Sequence, residues 1–332
     1  MDEHVTPMMR MARLHGVGDL RIDRVPRPSP GPGEILLRVE GCGVCPTDVR
    51  KFAVGVDDGQ YPLNPGHEWV GEIAELGAGV TGWHLRERVF GDTYAGYGEW
   101  AVMPVAPTDW SYGPLRIGDL PLHRAIFVEP LADCLHAIHD QAAVTEHDRV
   151  LVIGAGQMGL QMTAVAAAAG IPVAVSDPVP GRRELALSMG ADLALHPDEV
   201  ASGLNAWSPG GVNAIILTLG RQELVAQCLS LAATGGRLVL FAGFGQSGIA
   251  AIDVNVVHYR ELVITGSEWV GTPPRQRRAR YDQALELLRG AGRFALEHLV
   301  TATCRLDTLP GAFADIHQQR ALKYVLEMET SE

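Results

Sequence analysis

The chain has 332 residues, a net charge of −12 with histidine neutral, 47% apolar residues and 20% charged ones. At roughly 100–200 residues per domain the length favours two domains, and the acidic balance argues against a nucleic-acid-binding face, which would show clustered Lys and Arg. No apolar run reaches the ~18 residues of a membrane span, and the five irregularly spaced cysteines fit a catalytic or metal role better than a disulfide framework.

Residues 1–10 read as a tail, and the acidic Met1-Asp2-Glu3-His4 lacks a basic-then-apolar leader pattern, so the expected location is the cytoplasm. Strands are predicted at 11–14, 20–25 and 34–40, the last two separated by a turn-rich stretch carrying Pro26, Pro28, Pro30, Gly31, Pro32 and Gly33. From 41 to 105, glycines and prolines alternate with short Val, Ile and Leu runs, which predicts an irregular, mostly antiparallel β domain. The pattern changes near 126. Strands at 149–153, 173–176, 193–195, 214–217, 238–241 and 262–265 alternate with helices at 156–169, 182–189 and 221–233. That alternation predicts an α/β domain with a parallel sheet covered on both faces. After 266 a helix at 281–288 and a final strand at 324–328 return the chain to the first domain. The expected division is therefore 1–125 with 266–332, and 126–265. The one dense basic run, Arg275, Arg277, Arg278 and Arg280, reads as a solvated helix start after Pro273-Pro274. The alternative is a contact with a cofactor phosphate or a partner subunit.

Two groups of residues carry chemistry. The first is Gly154-Ala155-Gly156-Gln157-Met158-Gly159, which follows a strand and opens a helix. Gly154 permits a tight turn, Gly156 lets backbone approach a pyrophosphate, and Gly159 lets the helix pack on the strand. The helix N-terminus, from Gln157 and Met158 onward, offers free N–H groups to the phosphates. Asp177 ends the next strand, where a carboxylate accepts hydrogen bonds from the adenosine ribose and repels a 2′-phosphate, favouring NAD. Arg182 and Arg183 keep NADP open, and a simple turn before Pro178 is the plainer role for Asp177.

The second group is scattered over three segments: Gly41–Asp48 with Cys42 and Cys45, Gly66-His67-Glu68, and Glu129-Pro130-Leu131. One thiolate, one imidazole and one carboxylate make a three-ligand zinc set that leaves a fourth position open. Singly, each has a plainer reading: a buried cysteine, a loop histidine, a carboxylate at a helix start.

Together with the glycine turn and Asp177, these segments resemble the zinc-binding medium-chain dehydrogenases, the group of the alcohol, sorbitol and threonine dehydrogenases. The resemblance runs from about residue 11 to the end. It implies a GroES-like catalytic domain beside a Rossmann dinucleotide-binding domain. It implies that Cys45 and His67 are zinc ligands, with Glu68 or Glu129 as the carboxylate ligand. It also implies that Asp48 orients His67 and that Thr47 holds the substrate hydroxyl and passes its proton on. Arg50 departs from the family pattern, which has histidine there, so the proton relay to solvent must end differently or pass through the cofactor ribose alone. Phe90–Trp100 holds no cysteine where many relatives bind a structural zinc, which implies a shortened lobe and one zinc per subunit.

The resemblance further implies hydride transfer between NAD (or NADP) and a secondary alcohol, with a small-molecule substrate and a homodimer or homotetramer. Strands 238–241 and 262–265 are candidate edges for that assembly. Glu129-Pro130-Leu131 is similar to the polyol and sugar branch. Ser176–Arg183 and Gly66–Trp69 are similar to the aminocyclitol dehydrogenases, such as the 2-deoxy-scyllo-inosamine dehydrogenases. Asp57, Asp58 and Glu68 would suit a cationic aminosugar. Two rival readings are a zinc-free reductase of activated double bonds on the same fold, and a nucleotide-binding protein that has lost catalysis.

Overall fold

The computed structural model describes residues 7–56, 60–108, 111–244, 248–290, 292 and 294–329; Asp57 and Asp58 lie outside these. In chain order the strands are β1 (Met8–Gly16), β2 (Asp19–Pro26), β3 (Glu34–Gly43), β4 (Trp69–Leu76), β5 (Arg88–Gly91), β6 (Trp100–Pro104), β7 (Leu115–Arg116), β8 (Val150–Ile153), β9 (Val173–Ser176), β10 (Leu193–Leu195), β11 (Val212–Leu217), β12 (Ala232–Leu240), β13 (Val263–Gly266), β14 (Val300–Cys304) and β15 (Lys323–Glu327). The helices are α1 (Pro46–Val54), α2 (Leu122–Ala125), α3 (Val128–Leu135), α4 (Gln157–Ala168), α5 (Pro180–Ser188), α6 (Val200–Trp207), α7 (Glu223–Leu231), α8 (Val254–Tyr259), α9 (Pro274–Arg289) and α10 (Leu309–His317). None of the described helices is long and apolar enough to cross a membrane.

The chain divides into two compact units. One is Met1–Pro130 with Pro273–Ala291 and Ala295–Glu332; the other is Leu131–Thr272 with Gly292–Phe294.

The first unit is built on a sheet in the order β14-β15-β3-β4-β5-β7, with β6 also pairing β3. Its ladders are antiparallel except β14–β15. Alternation along β3 buries Ile35, Leu37 and Val39, and these join Trp69, Ile73, Tyr97 and Phe313 in one core. The C-terminal strand β15 pairs both β3 and β14, so the end of the chain does return to the first unit. The N-terminal expectation needs correction. Met8, Met9 and Arg10 belong to β1, in register with Pro26, Val25 and Arg24 of β2, and Met9 is buried. The alternation of Met9 and Met11 about Arg10 is the strand signal there.

The second unit holds a six-stranded sheet in the order β10-β9-β8-β11-β12-β13, parallel throughout. This is the doubly wound arrangement, and its order reverses between β8 and β11. The strands read as continuous apolar runs because both faces are covered: Val150, Leu151 and Val152 are all fully buried, as are Val173, Ala174 and Val175. The helix expected over 221–233 stops at Leu231 because Ala232 opens β12. The stretch 238–241 is no edge either: Leu238, Val239 and Leu240 pair with β11 on one side and β13 on the other.

Candidate metal and dinucleotide sites

In the first unit, Cys45 is the N-cap of α1, with Pro46 at the first helical position, and the Thr47 N–H donates to its Sγ at 3.4 Å. Proline is favoured there because its missing N–H would have no helical partner anyway. One turn of helix then places Asp48 inside and Thr47 and Arg50 outside, exposed. His67 and Glu68 immediately precede β4. The turn that delivers them contains Gly66 at φ +91°, where an added Cβ would strike the Tyr97 backbone and ring. Only glycine takes that conformation without strain.

The ligand atoms of Cys45, His67 and Glu68 all lie within 4.8 Å of one another. Zinc bonds of about 2.0–2.3 Å require donor atoms up to about 4 Å apart, so the three can share an ion with small adjustments. Asp48, fully buried, holds the arrangement from behind. Its Oδ2 accepts from the Gly66 N–H at 3.0 Å and from the Tyr97 hydroxyl at 3.1 Å. The same oxygen lies 3.5 Å from His67 Nδ1, an approach that orients the ring without completing a hydrogen bond. His67 Nδ1, Glu68 Oε1 and Asp48 Oδ1 are buried and have no hydrogen-bond partner. Buried polar atoms are rarely left so; a cluster of a thiol, an imidazole and a carboxylate with orphaned atoms suits a divalent cation. Burial pushes the Cys45 thiol well above its ordinary range, with the Glu68 and Asp48 charges adding to the effect.

Of the two candidate carboxylates, Glu68 belongs to this group of three. Glu129 lies in the first turn of α3 and is close enough for its charge to be felt at Cys45 and at Tyr94. Cys42 stands apart: it is fully buried in β3 and donates to the Gly43 carbonyl at 3.4 Å.

Three further groups around the cluster escaped the sequence reading. The Lys323 ammonium on β15 forms a buried ion pair with Glu68 Oε2. Both side chains are essentially inaccessible, at 0% and 1%. The one available signal was rarity: Lys51 and Lys323 are the only lysines. Tyr94 packs its ring 5.1 Å from that of His67, and the Lys51 ammonium lies 4.3 Å over the Tyr94 ring. Asp92 follows β5, and burial pushes its carboxyl up to about 7 against the opposing pull of Arg277 and His67. Arg277 corrects the reading of the basic run as solvated. It sits on the inner face of α9, is 2% exposed, and reaches to 3.9 Å from Asp92 Oδ2, while Arg278 stays outside and pairs with Asp282.

In the second unit, β8 runs into the glycine turn as expected. Gly154 has φ +103°, and a Cβ there would meet the Thr218 hydroxyl. A Cβ at Gly159 would collide with the Gly154 carbonyl oxygen, whereas one at Gly156 would meet nothing within 4 Å. The turn therefore needs glycine internally at two positions and presents open space at the third. Gly156 caps α4, whose first residues are Gln157 and Met158. Asp177, at the end of β9, is 3% exposed. It accepts from the Ala155 N–H through Oδ2 and from the Val179 N–H through Oδ1, both at 2.8 Å. It thus ties the glycine turn to the second strand. Arg182 Nη1 lies 3.9 Å from Asp177 Oδ2, and Arg183 donates to the Asp177 and Pro178 carbonyls.

Comparison with known proteins adds to this geometry. The zinc-binding dehydrogenase family profile matches residues 154–290, and that of the alcohol dehydrogenase GroES-like domain matches residues 31–111. The chain is similar to the L-threonine 3-dehydrogenase of Pyrococcus horikoshii, with 30% identity over 80% of this chain and 83% of that one. It is similar to the sorbitol dehydrogenase of Gallus gallus, with 28% identity over 96% of each. In fold it is similar to 2R,3R-butanediol dehydrogenase from Bacillus subtilis, at a TM-score of 0.84 and 22% identity over 96% of this chain and 99% of that one.

Proposed function

Because this chain belongs to the zinc-type medium-chain dehydrogenase/reductase family and is an oxidoreductase, we propose that it transfers a hydride between a nicotinamide cofactor and a secondary alcohol or ketone of a polyol, sugar or aminocyclitol. The observation that carries this reading is the convergence of Cys45, His67 and Glu68 on one point, with orphaned polar atoms around it.

Cys45, His67 and Glu68 hold one zinc, with Glu129 as the nearby carboxylate that can exchange with Glu68. Zinc supplies Lewis acidity that lowers the pKa of a hydroxyl, as it does for water, from 15.7 to about 7, and the nicotinamide supplies the hydride acceptor. Asp48, 3.5 Å from His67 Nδ1, would help to set the ring that holds the metal. Lys323 neutralises Glu68 from behind, so the cluster carries less negative charge than its acids suggest. Thr47, exposed at the start of α1 and beside Cys45, accepts the substrate proton through its hydroxyl and releases it to solvent. Arg50 takes no part in that relay, because a guanidinium does not deprotonate in proteins. Gly154, Gly156, Gln157, Met158 and Gly159 form the pyrophosphate cradle. Asp177 would meet the adenosine ribose through the lone pairs that its two backbone donors leave over, favouring NAD, with Arg182 beside it as the group through which NADP would be taken.

The sorbitol and butanediol dehydrogenases among the similar proteins support the polyol class. The assembly we infer is a homodimer or homotetramer in the cytoplasm, with β13 as the exposed sheet edge: among the described residues it pairs only with β12.

The test is metal analysis of purified protein, followed by NAD reduction with a panel of polyols. One zinc per chain is expected, with turnover lost on chelation and restored by zinc. Removing the His67 ligand (His67→Ala) should cost roughly a thousandfold, since metal ions contribute several kcal/mol at 1.36 kcal/mol per decade. Zinc-free protein that reduces activated double bonds would overturn the reading, as would tight cofactor binding without turnover in zinc-replete protein.

A further inference from the structure

In the unit that carries Cys45, His67 and Glu68, the other polar atoms buried without a partner include Asp92 Oδ1 and the Tyr112 hydroxyl, which belong to one group of packed side chains. The Asp92 side chain is 7% exposed and Tyr112 is 0% exposed. Everything else about both residues is fixed. The Tyr281 hydroxyl donates to Asp92 Oδ2 at 3.5 Å, and Arg277 Nη1 lies 3.9 Å from that same oxygen. The Tyr112 ring stacks on that of Tyr281 with centroids 3.8 Å apart. The orphaned atoms are thus the one carboxylate oxygen and the one hydroxyl that this bracing leaves over.

Their place follows from strand register. Trp69 of β4 pairs antiparallel with Gly91 of β5. Beyond that rung the two chains carry His67 and Glu68 on one side and Asp92 on the other, so Asp92 neighbours the metal cluster by topology. The chemistry of the pair is complementary to one group. A carboxylate oxygen accepts, a phenol donates, and an alcohol hydroxyl does both.

We propose that Asp92 and Tyr112 form a subsite for a second hydroxyl of the substrate, beside the one that is oxidised. The site then selects polyhydroxylated alcohols over mono-ols. The second hydroxyl donates to Asp92 Oδ1 and accepts from Tyr112, while Arg277 and Tyr281 hold the carboxylate in place. A site built to hydrogen-bond a hydroxyl discriminates against the analogue lacking it, because its own polar groups are then left unpaired. This inference rests on the dehydrogenase reading given above.

The test uses zinc-loaded full-length protein and two probes with one carbon skeleton, 2,3-butanediol and 2-butanol. The readouts are kcat/KM for each and the calorimetric Kd of the diol. Asp92→Ala is expected to lower the diol-to-mono-ol ratio of kcat/KM by about tenfold or more, the size of one hydrogen bond to a charged group. Tyr112→Phe should lower it several-fold, with diol affinity falling in step and zinc content and melting temperature retained. If Asp92→Ala fails to fold, because Arg277 loses its partner, Asp92→Asn and Tyr112→Phe decide. An unchanged ratio in the folded variants overturns the proposal and assigns the orphaned atoms to internal water. Equal losses for both probes overturn it too, and make Asp92 a positioning residue for His67. The two readings fail differently. Diol binding that depends on Asp92, without turnover, removes the dehydrogenase reading; turnover without discrimination removes this one.

Discussion

The glycine turn of the second unit and the proposed metal cluster of the first prepare for their ligands by opposite routes. At the turn, Gly154 and Gly159 make room for backbone, Asp177 has backbone donors on both oxygens, and the open space at Gly156 is the feature left for a ligand. The site is main-chain geometry within one stretch of sequence. At the cluster, backbone only delivers side chains. The groups that matter come from β15, the N-cap of α1 and the entrance to β4, and several of their polar atoms are buried unsatisfied. One site is finished before its ligand arrives, and the other is stable but incomplete. Variants on one side should therefore disturb metal and substrate while sparing the dinucleotide, and variants on the other should do the reverse.

The largest effect expected is from Lys323→Met, which leaves Glu68 as a buried, unpaired charge. Removing one partner of a buried ion pair costs about 3–5 kcal/mol, read as a drop in the denaturation midpoint of metal-free protein. Zinc should recover part of that loss, and a variant as stable as the parent would sink this account of the cluster. Next is Asp48→Asn, which weakens the support behind His67. Zinc affinity or turnover should fall about 10–100-fold while the Kd for NAD stays level; equal loss of both would erase the contrast between the sites. Gly159→Ala tests the other half. Its Cβ collides with the Gly154 carbonyl oxygen, backbone that cannot rotate away, and crowding of this kind costs about 1–3 kcal/mol. Dinucleotide affinity should fall with zinc content unchanged.

How much of this was legible depends on how local the cause is. The dinucleotide site obeys rules that act within about twenty residues: an apolar strand, glycines where a Cβ has no room, a helix start, a carboxylate at the next strand end. The sequence between Val150 and Asp177 states all of them. Cys45, His67 and Glu68 could be recognised as a set, but nothing near Glu68 announces Lys323, 255 positions away. Arg277 was misread for the same reason. Four arginines after two prolines look alike in sequence, and only the packing of α9 decides which one turns inward to Asp92. Asp92 and Tyr112 follow no motif and become visible only when their unsatisfied atoms are located.

A pH dependence sharpens the comparison from inside the second unit. Burial raises the Asp133 carboxyl from 3.8 to about 8, and the Glu268 charge adds to this; its Oδ1 has no partner. Between about pH 4 and 8 the folded protein keeps a proton that the unfolded chain has released. Stability from this group is therefore full below pH 4 and declines as pH rises through that window. Asp133→Asn removes the titration. Its denaturation midpoint relative to the parent should be higher at pH 8 than at pH 5, and a pH-independent difference would show that Asp133 ionises freely.

The position of β15 also sets a schedule for the living cell. A ribosome makes this chain from its first residue to its last, and domains fold as they emerge. The parallel sheet of the second unit has all its strands once Gly266 has left the tunnel. The strand that pairs with Gly41–Gly43 in the first unit's sheet, and that carries the ammonium opposite Glu68, is made after all of them. Cys45 and His67 are therefore synthesised before the glycine turn, yet their sheet gains β15 only after the parallel sheet has been made. On the proposed function, the complete ion site would form after the strands of the nucleotide-binding half.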